Sequence, residues 1–418
     1  MTKDFEQLGA DKFLIKQLEK RGIREATDIQ CKIFPHLASG ESVFFASATG
    51  TGKTFAYLLP ILSKMLNKTQ EPASEPSKIN LLITSPTLEL CTQIKSELDF
   101  LLEGSKIRSS LVIGSVNIEH QIDNLKKTKP AIIVGNPGRL LVLAKKGILR
   151  LCPQFFVLDE ADRLVSDEML NDTNELCEMV MRSAQKAGIR ITVAACSATM
   201  NKKNREKILQ ALSTKAEKNR DIVYIESDAN EILREKIEHW AIFSEKRRKD
   251  QTLRSLLAAI RAVSSKRKKS GAKVLIFTSK NDEAAFTLGR LAHHHVPCAG
   301  LFGKAGKKPV SGEQRRESLE LFRNGGIEAL ISTDLAARGL DIPGITHVIS
   351  LDVPSDSEVY IHRCGRTARA GKRGIMITIG DETQMRLLAS LEKKLKIRVQ
   401  PKELHYGQIT APLPIEED

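Results

Sequence analysis

The chain has 418 residues, 41% of them hydrophobic and 28% charged, with a formal net charge of +14. That length exceeds an ordinary single domain, and the apolar content suffices for packed cores, which excludes a wholly disordered chain. The charge excess is shared, with 32 basic and 26 acidic residues over 1–225 (+6) and 33 and 25 over the remainder (+8). A polyanion touching both halves is therefore expected rather than one basic arm.

Seven cysteines, at positions 31, 91, 152, 177, 196, 298 and 364, are dispersed without ligand-like spacing. Such a set predicts reduced thiols in the cytoplasm, with neither a disulfide framework nor a zinc site. The start, Met1-Thr2-Lys3-Asp4-Phe5, carries charges where a signal peptide needs an apolar segment. No run approaches the roughly 20 apolar residues of a membrane span. A cytoplasmic protein with no membrane partner, acting as a monomer, is expected.

Residues 5–22 place Phe5, Leu8, Phe13, Leu14, Ile15 and Leu18 at helical spacing, closed by Gly22. A second amphipathic stretch follows Ile23–Gln30. Next, the apolar run Val43-Phe44-Phe45 leads into Ser47-Ala48-Thr49-Gly50-Thr51-Gly52-Lys53-Thr54 and then a helical stretch beginning at Phe55. A strand, a Gly-containing loop ending in Gly-Lys-Thr and a helix form a polyphosphate cradle. The glycines let backbone N–H groups close on phosphate oxygens, and the helix N-terminus adds a favourable dipole. Lys53 is placed for the β- and γ-phosphates and the Thr54 hydroxyl for Mg²⁺. A nucleoside triphosphate is the expected ligand.

Residues 68–78 contain two prolines and no apolar periodicity, and read as a solvent-exposed loop. Apolar runs recur at Leu81–Ile83, Ile132–Val134, Phe155–Leu158 and Ile191–Ala195, separated by helical stretches such as Leu88–Leu102 and Asp167–Ala187. Continuous apolar strands alternating with helices predict a parallel sheet covered on both faces. Residues 226–238 turn charged and read as a linker. A second series follows at Val274–Phe277, Ala329–Ser332, His347–Leu351 and Ile375–Ile379. Two tandem α/β domains are predicted, 1–225 and 239–395, with a short tail over 396–418. Lys266-Arg267-Lys268-Lys269 reads as a solvated loop and His293-His294-His295 as a helix end rather than a metal site.

The run Phe155–Leu158 is followed by Asp159-Glu160-Ala161-Asp162. Carboxylates just past the C-terminal end of a buried strand stand where open α/β sheets bind ligands. Asp159 suits Mg²⁺ association beside the phosphate loop, and Glu160 is placed to orient or deprotonate a water.

Asp-Glu-Ala-Asp at 159–162, with the loop at 47–54, resembles the DEAD-box family of ATP-dependent RNA helicases. The motifs Ser197-Ala198-Thr199, residues 332–341 (Ser-Thr-Asp-Leu-Ala-Ala-Arg-Gly-Leu-Asp) and residues 362–369 (His-Arg-Cys-Gly-Arg-Thr-Ala-Arg) follow in the family's order. The resemblance runs from Phe5 to about Ile379 and implies two RecA-like domains, ATP and Mg²⁺ as cofactors, and RNA as partner. It implies that Phe5 stacks on adenine, Gln30 reads its edge, and Gly339 and Asp341 meet the nucleotide. Arg366 and Arg369 correspond to fingers on the γ-phosphate, while Asp162, Ser197, Thr199 and His362 couple the domains. RNA contacts are implied for Pro86, Thr87, Gly114, Pro137, Gly138, Arg139, Thr278, Arg315 and Thr333, which suit a sugar-phosphate track with little base readout.

The pattern departs on the RNA side. The family's Pro-Thr-Arg-Glu-Leu-Ala reads Pro86-Thr87-Leu88-Glu89-Leu90-Cys91, its Gly-Gly reads Gly114-Ser115, and its Thr-Pro-Gly-Arg reads Asn136–Arg139. Gly312 replaces a Gln three residues before Arg315, and Ala26 and Asp28 stand at positions that are often Pro. ATP hydrolysis is expected to be retained with a weaker first-domain grip on RNA. The expected activity is hydrolysis on RNA binding with local separation of short duplexes or remodelling of RNA–protein complexes. An ATP-gated RNA clamp and a DNA-directed motor are the alternatives, with targeting by protein partners possible in each case.

Overall fold

The protein is described from a computed structural model over residues 3–47, 50–68, 79–198, 201–213, 222–226, 233–266, 271–305, 308–337, 342, 344–368 and 372–412. It divides into two units, Met1–Ala229 and Asn230–Asp418.

The first unit opens with a two-stranded antiparallel pair, β1 (Lys3–Asp4) and β2 (Glu25–Ala26). Its main sheet holds β3 (Ser42–Ala46), β4 (Leu81–Thr84), β5 (Ser109–Val112), β6 (Ile132–Gly135), β7 (Phe155–Asp159), β8 (Thr192–Ser197) and β9 (Ile222–Glu226). The spatial order is β5-β6-β4-β7-β8-β3-β9, parallel throughout. Alternation along each strand explains the two-sided burial. Val43, Phe45, Leu81, Ile83, Phe155 and Val157 enter one core cluster. Phe44, Leu82, Phe156, Leu158, Val193 and Ala195 enter the other. Helices α1 (Lys12–Lys20), α2 (Asp28–Ser39), α3 (Lys53–Lys68) and α4 (Leu88–Leu101) supply apolar faces to the first cluster. Helices α5 (Ile118–Thr128), α6 (Pro137–Lys145), α7 (Ala161–Leu164), α8 (Leu170–Ala187) and α9 (Lys202–Leu212) cover the second. The helix start expected near Phe5 lies later because Asp11 caps α1, its carboxylate accepting from Phe13 N–H at 2.8 Å.

The second unit repeats the plan. Its sheet comprises β10 (Ile237–Phe243), β11 (Val274–Thr278), β12 (Cys298–Leu301), β15 (Ala329–Thr333), β16 (His347–Ser350), β17 (Gly374–Gly380) and β18 (Val399–Pro401). A short pair, β13 (Lys304–Ala305) and β14 (Lys308–Pro309), lies between β12 and β15 in sequence. The order β12-β15-β11-β16-β17-β10-β18 is that of the first sheet, strand for strand, and again all pairs are parallel. Both sheets are thus the expected parallel sheets covered on two faces.

The predicted boundaries need two corrections. Leu233 is buried in the second core and β10 starts at Ile237, so part of 226–238 belongs to the second unit. The segment taken as a tail from 396 supplies β18, which pairs with β10, and a hairpin of β19 (Glu403–His405) and β20 (Gln408–Thr410). Leu404 and Ile409 pack against the second unit's core. An edge strand shows only half-buried alternation, and Pro401 is tolerated at its end, so it carried no strong apolar signal. The exposed loop expected at 68–78 lies outside the described residues from 69 on, as does 267–269 of the basic cluster. His293 ends the helix Asn281–His293, with His294 as its cap.

Burial holds His347, at the start of β16, down to about pKa 4, and burial also lowers that of His239, whose Nδ1 and Nε2 meet Tyr360 Oη and the Leu233 carbonyl, each at 2.9 Å. Below the unfolded value of 6.5 the unfolded chain takes up protons that the folded imidazoles refuse. Stability is thus fully present above that pH and falls as pH drops toward 4. At pH 5 the His347 contribution to the loss is on the order of 2 kcal/mol. Unfolding of the wild type and of His347→Gln at pH 7 and pH 5 checks this, with the variant losing less on acidification.

Candidate active site

The phosphate-loop motif runs from the C-terminal end of β3 to the second residue of α3. Ser47 is fully buried, donates its N–H to the Ser197 carbonyl at 3.1 Å and its hydroxyl to Thr51 Oγ1 at 2.8 Å. Gly50 and Gly52 take φ of +81° and +87°, which L side chains seldom adopt. A Cβ on Gly52 would also stand 2.5 Å from Gln30 Nε2. That closeness comes from a hydrogen bond, because Gln30 Nε2 donates to the Gly52 carbonyl at 3.1 Å while its Oε1 accepts from Thr27 N–H at 2.9 Å. The Thr27 hydroxyl donates to the Thr51 carbonyl at 2.8 Å. The start of α2 therefore clamps the loop from outside. Ala48 and Thr49 lie outside the described residues.

Lys53 Nζ donates to the Ser47 carbonyl at 2.7 Å. Burial lowers its pKa, while the negative charges around it, Asp159 and Glu160 among them, oppose that shift. Because β7, β8 and β3 are neighbours in the sheet, Asp159, Ser197 and the loop meet at one edge. Asp159 is 5% exposed and accepts from Tyr57 Oη at 3.1 Å and Cys196 Sγ at 2.9 Å. Glu160 takes φ 49° and ψ 53°, a left-handed conformation rare for a residue with a Cβ, and is 8% exposed. Arg163 Nη1 stands 4.0 Å from its Oε2. Asp162 accepts from the Arg163 N–H at 3.0 Å. Glycines at left-handed φ, a lysine at the first helical turn and paired carboxylates on the adjoining strand end fit a nucleoside triphosphate with a divalent cation.

Phe5 departs from its expected role. It is 1% exposed within the first core cluster, so in this conformation the ring is core and not an open stacking platform. It follows β1 directly, whose partner strand Glu25–Ala26 ends two residues before α2.

In the second unit His362 and Arg366 are buried, on and just after the helix Ser357–Cys364. Thr278 and Thr333 end β11 and β15. Arg363 is the largest fully buried side chain there, bonded to Asp334 and Asp352. Gly339, Asp341 and Arg369, like Thr199 in the first unit, lie outside the described residues.

The DEAD/DEAH box helicase family model matches residues 27–208 and the helicase conserved C-terminal domain model residues 248–371. The DEAD-box ATP-dependent RNA helicase CshC of Bacillus cereus is 31% identical over 403 residues, covering 96% of this chain and 94% of that protein. The chain belongs to the DEAD-box ATP-dependent RNA helicase family. CshB of Bacillus subtilis is 32% identical over 408 residues, covering 97% of this chain and 85% of its own. The structure of Mss116p, with its NTE and C-tail deleted and bound to ssRNA and AMP-PNP, superposes with a TM-score of 0.80 at 25% identity, covering 95% of this chain and 78% of that one. The architecture of this DEAD-box helicase is accordingly a tandem pair of RecA-like domains.

The drifted Leu88 and several retained motif residues of this helicase have structural uses. Leu88, in place of the family's Arg, is half-buried against the first core and opens α4 behind Thr87, whose hydroxyl accepts from Leu90 N–H at 3.3 Å. Arg139 Nη2 donates to the carbonyls of Gly114 at 2.7 Å and Val116 at 3.0 Å, so two segments expected to face RNA are tied together. Pro137 opens α6, and a Cβ on Gly138 would stand 2.9 Å from Asp172 Oδ2, which fixes α6 close to α8. Arg315 lies in the first turns of the helix Gly312–Arg323, whose cap is a Ser311–Gln314 box. Sequence reasoning missed Thr27, Tyr57, Cys196 and Arg363. The box Thr27–Gln30 was a readable signal for the first, and Arg363 sat unremarked inside a recognised motif.

No helix among the described residues is long and apolar enough to cross a membrane. None of the seven cysteines, all described, is in a disulfide.

Proposed function

We propose that the protein hydrolyses ATP on binding RNA and uses the cycle to separate short duplexes or remodel RNA–protein complexes. The observation that carries this is the convergence of Lys53, Asp159 and Glu160 at neighbouring strand ends in a chain of this family. Lys53 would leave the Ser47 carbonyl to hold the β- and γ-phosphates, and Gly50, Thr51 and Gly52 would offer backbone N–H groups to them. Thr54 and Asp159 would hold Mg²⁺, which when bound neutralises charge on the β- and γ-oxygens. Glu160 would orient and deprotonate the attacking water. From the second unit, Arg366 and Arg369 are proposed to stabilise charge on the γ-phosphoryl group, with Gly339 and Asp341 on the nucleotide.

RNA contacts are assigned to Pro86, Thr87, Gly114, Pro137, Gly138, Arg139, Thr278, Arg315 and Thr333, mostly backbone amides and small side chains that read sugar and phosphate. A cytoplasmic setting belongs to the same proposal, supported by seven thiols without a disulfide. Choice of RNA is left to protein partners and the basic surface. Steady-state ATPase with RNA and with single-stranded DNA of equal length tests the reading. RNA is expected to stimulate turnover and the DNA to leave it near the basal rate; equal stimulation by both would overturn the RNA assignment.

A further inference from the structure

Three donors converge on the Asp159 carboxylate. Tyr57 Oη donates to its Oδ2 at 3.1 Å, while Cys196 Sγ and the Glu160 N–H donate to its Oδ1 at 2.9 and 3.0 Å. Tyr57 and Cys196 are both fully buried. Their arrival at one carboxylate follows from the fold. Tyr57 lies four residues after Lys53, so both project from one face of α3. Cys196 is the register partner of Asp159 in the parallel pair β7–β8, so the two side chains leave the sheet on the same side. Thr54 lies three residues before Tyr57 on the same face of α3. One phenol therefore bonds Asp159 and neighbours Thr54, the two residues assigned to the cation.

An ionised carboxylate offers about four lone-pair directions. Three are taken by donors among the described residues, two on Oδ1 and one on Oδ2. We propose that Tyr57 and Cys196 are positioning residues that lock the Asp159 carboxylate in one orientation on the side of Thr54, so that Mg²⁺ meets a preoriented ligand. The inference rests on the reading that Asp159 and Thr54 serve the cation. Phenylalanine would fill the volume at 57 and alanine would be tolerated by a buried strand at 196; what each loses is the bond to Asp159. Partners that orient ligating side chains typically matter about 10–100-fold for metal affinity.

The test uses the full chain without RNA and follows the Mg²⁺-dependent tightening of a fluorescent ADP during a magnesium chloride titration. Tyr57→Phe and Cys196→Ala are each expected to raise the half-saturating Mg²⁺ concentration about tenfold while leaving metal-free ADP affinity unchanged. Cys196→Ser, which keeps a donor, is expected to stay near wild type. A purely structural role would lower the melting temperature of Tyr57→Phe and leave the titration unmoved, and that result would overturn the proposal. Asp159→Asn and Thr54→Ala separate this from the underlying reading. If they respond to Mg²⁺ as wild type does, the cation assignment itself fails; if they lose the response while Tyr57→Phe and Cys196→Ala keep it, only the positioning role fails. Should Tyr57→Phe not fold, the Cys196 pair alone decides, since alanine and serine differ there in little but the donor.

Discussion

Glu160→Gln is expected to lower RNA-stimulated ATP turnover by about 10²–10⁴ while ATP binding is retained. Glutamine copies the shape and hydrogen-bonding reach of the side chain but cannot accept a proton or present a negative charge to a polarised water. The site prepares that group in an uncommon way. Glu160 sits in the left-handed region at φ 49°, immediately after β7 and before the short helix α7, so the carboxylate is aimed by a backbone turn and not by a long rotamer search. Both the native and the substituted residue carry the same Cβ and γ-methylene, so the strain is common to both and the fold is expected to survive. Turnover and the affinity for a fluorescent ATP analogue, measured on one preparation, check the prediction. Activity within a few-fold of wild type would remove Glu160 as the water-activating group and leave Asp162, Lys53 or the second unit to supply that function.

That left-handed turn marks the limit of what the sequence alone discloses. The buried strands were legible because parallel strands covered on both faces read as continuous apolar runs, as in Leu81–Ile83 or Phe155–Leu158. The edge strands β5, β12 and β18 were not, since one side lies open and their burial only alternates or is partial. The phosphate loop and the carboxylates could be read because their chemistry is local, written in consecutive residues. The grip of Tyr57 and Cys196 on Asp159 could not, because it depends on which strands adjoin, and 102 residues separate Tyr57 from its acceptor. Phe5 shows the reverse error. The resemblance implied an adenine-stacking ring there, yet a motif position says nothing of whether a ring faces solvent or core.

Arg363→Ala is expected to destabilise the second unit by about 3–5 kcal/mol, the range for removing one partner of a buried ion-pair network. The guanidinium is 1% exposed. Its Nε and Nη2 bind Asp334 at 2.6 and 2.7 Å in a two-pronged pair, and its Nη1 binds Asp352 Oδ1 at 2.7 Å as well as Ser350 Oγ. Burial alone would disfavour the charge, but the bonds to Asp334 and Asp352 outweigh it and raise the pKa further above its usual value. Asp352 also accepts from the Ser279 N–H at 2.5 Å. One side chain on the helix Ser357–Cys364 thus ties together the residues following β11, β15 and β16. Alanine leaves the half-buried carboxylates of Asp334 and Asp352 without their guanidinium partner. Lysine restores a charge but not the planar fork, and is expected to recover less than half of the loss, since a single ammonium does not span Asp334 and Asp352 with the same geometry. At roughly 2–4 °C per kcal/mol for a unit of this size, the second-unit transition should fall by about 10 °C. The strand ends held by this network carry Thr278 and Thr333, so RNA-stimulated turnover should fall together with the melting point, whereas the first unit, with its own two core clusters, should unfold as in wild type. A shift below about 2 °C would mean that Asp334 and Asp352 are neutralised by other groups, and that the bidentate pair is not what fixes these strand ends.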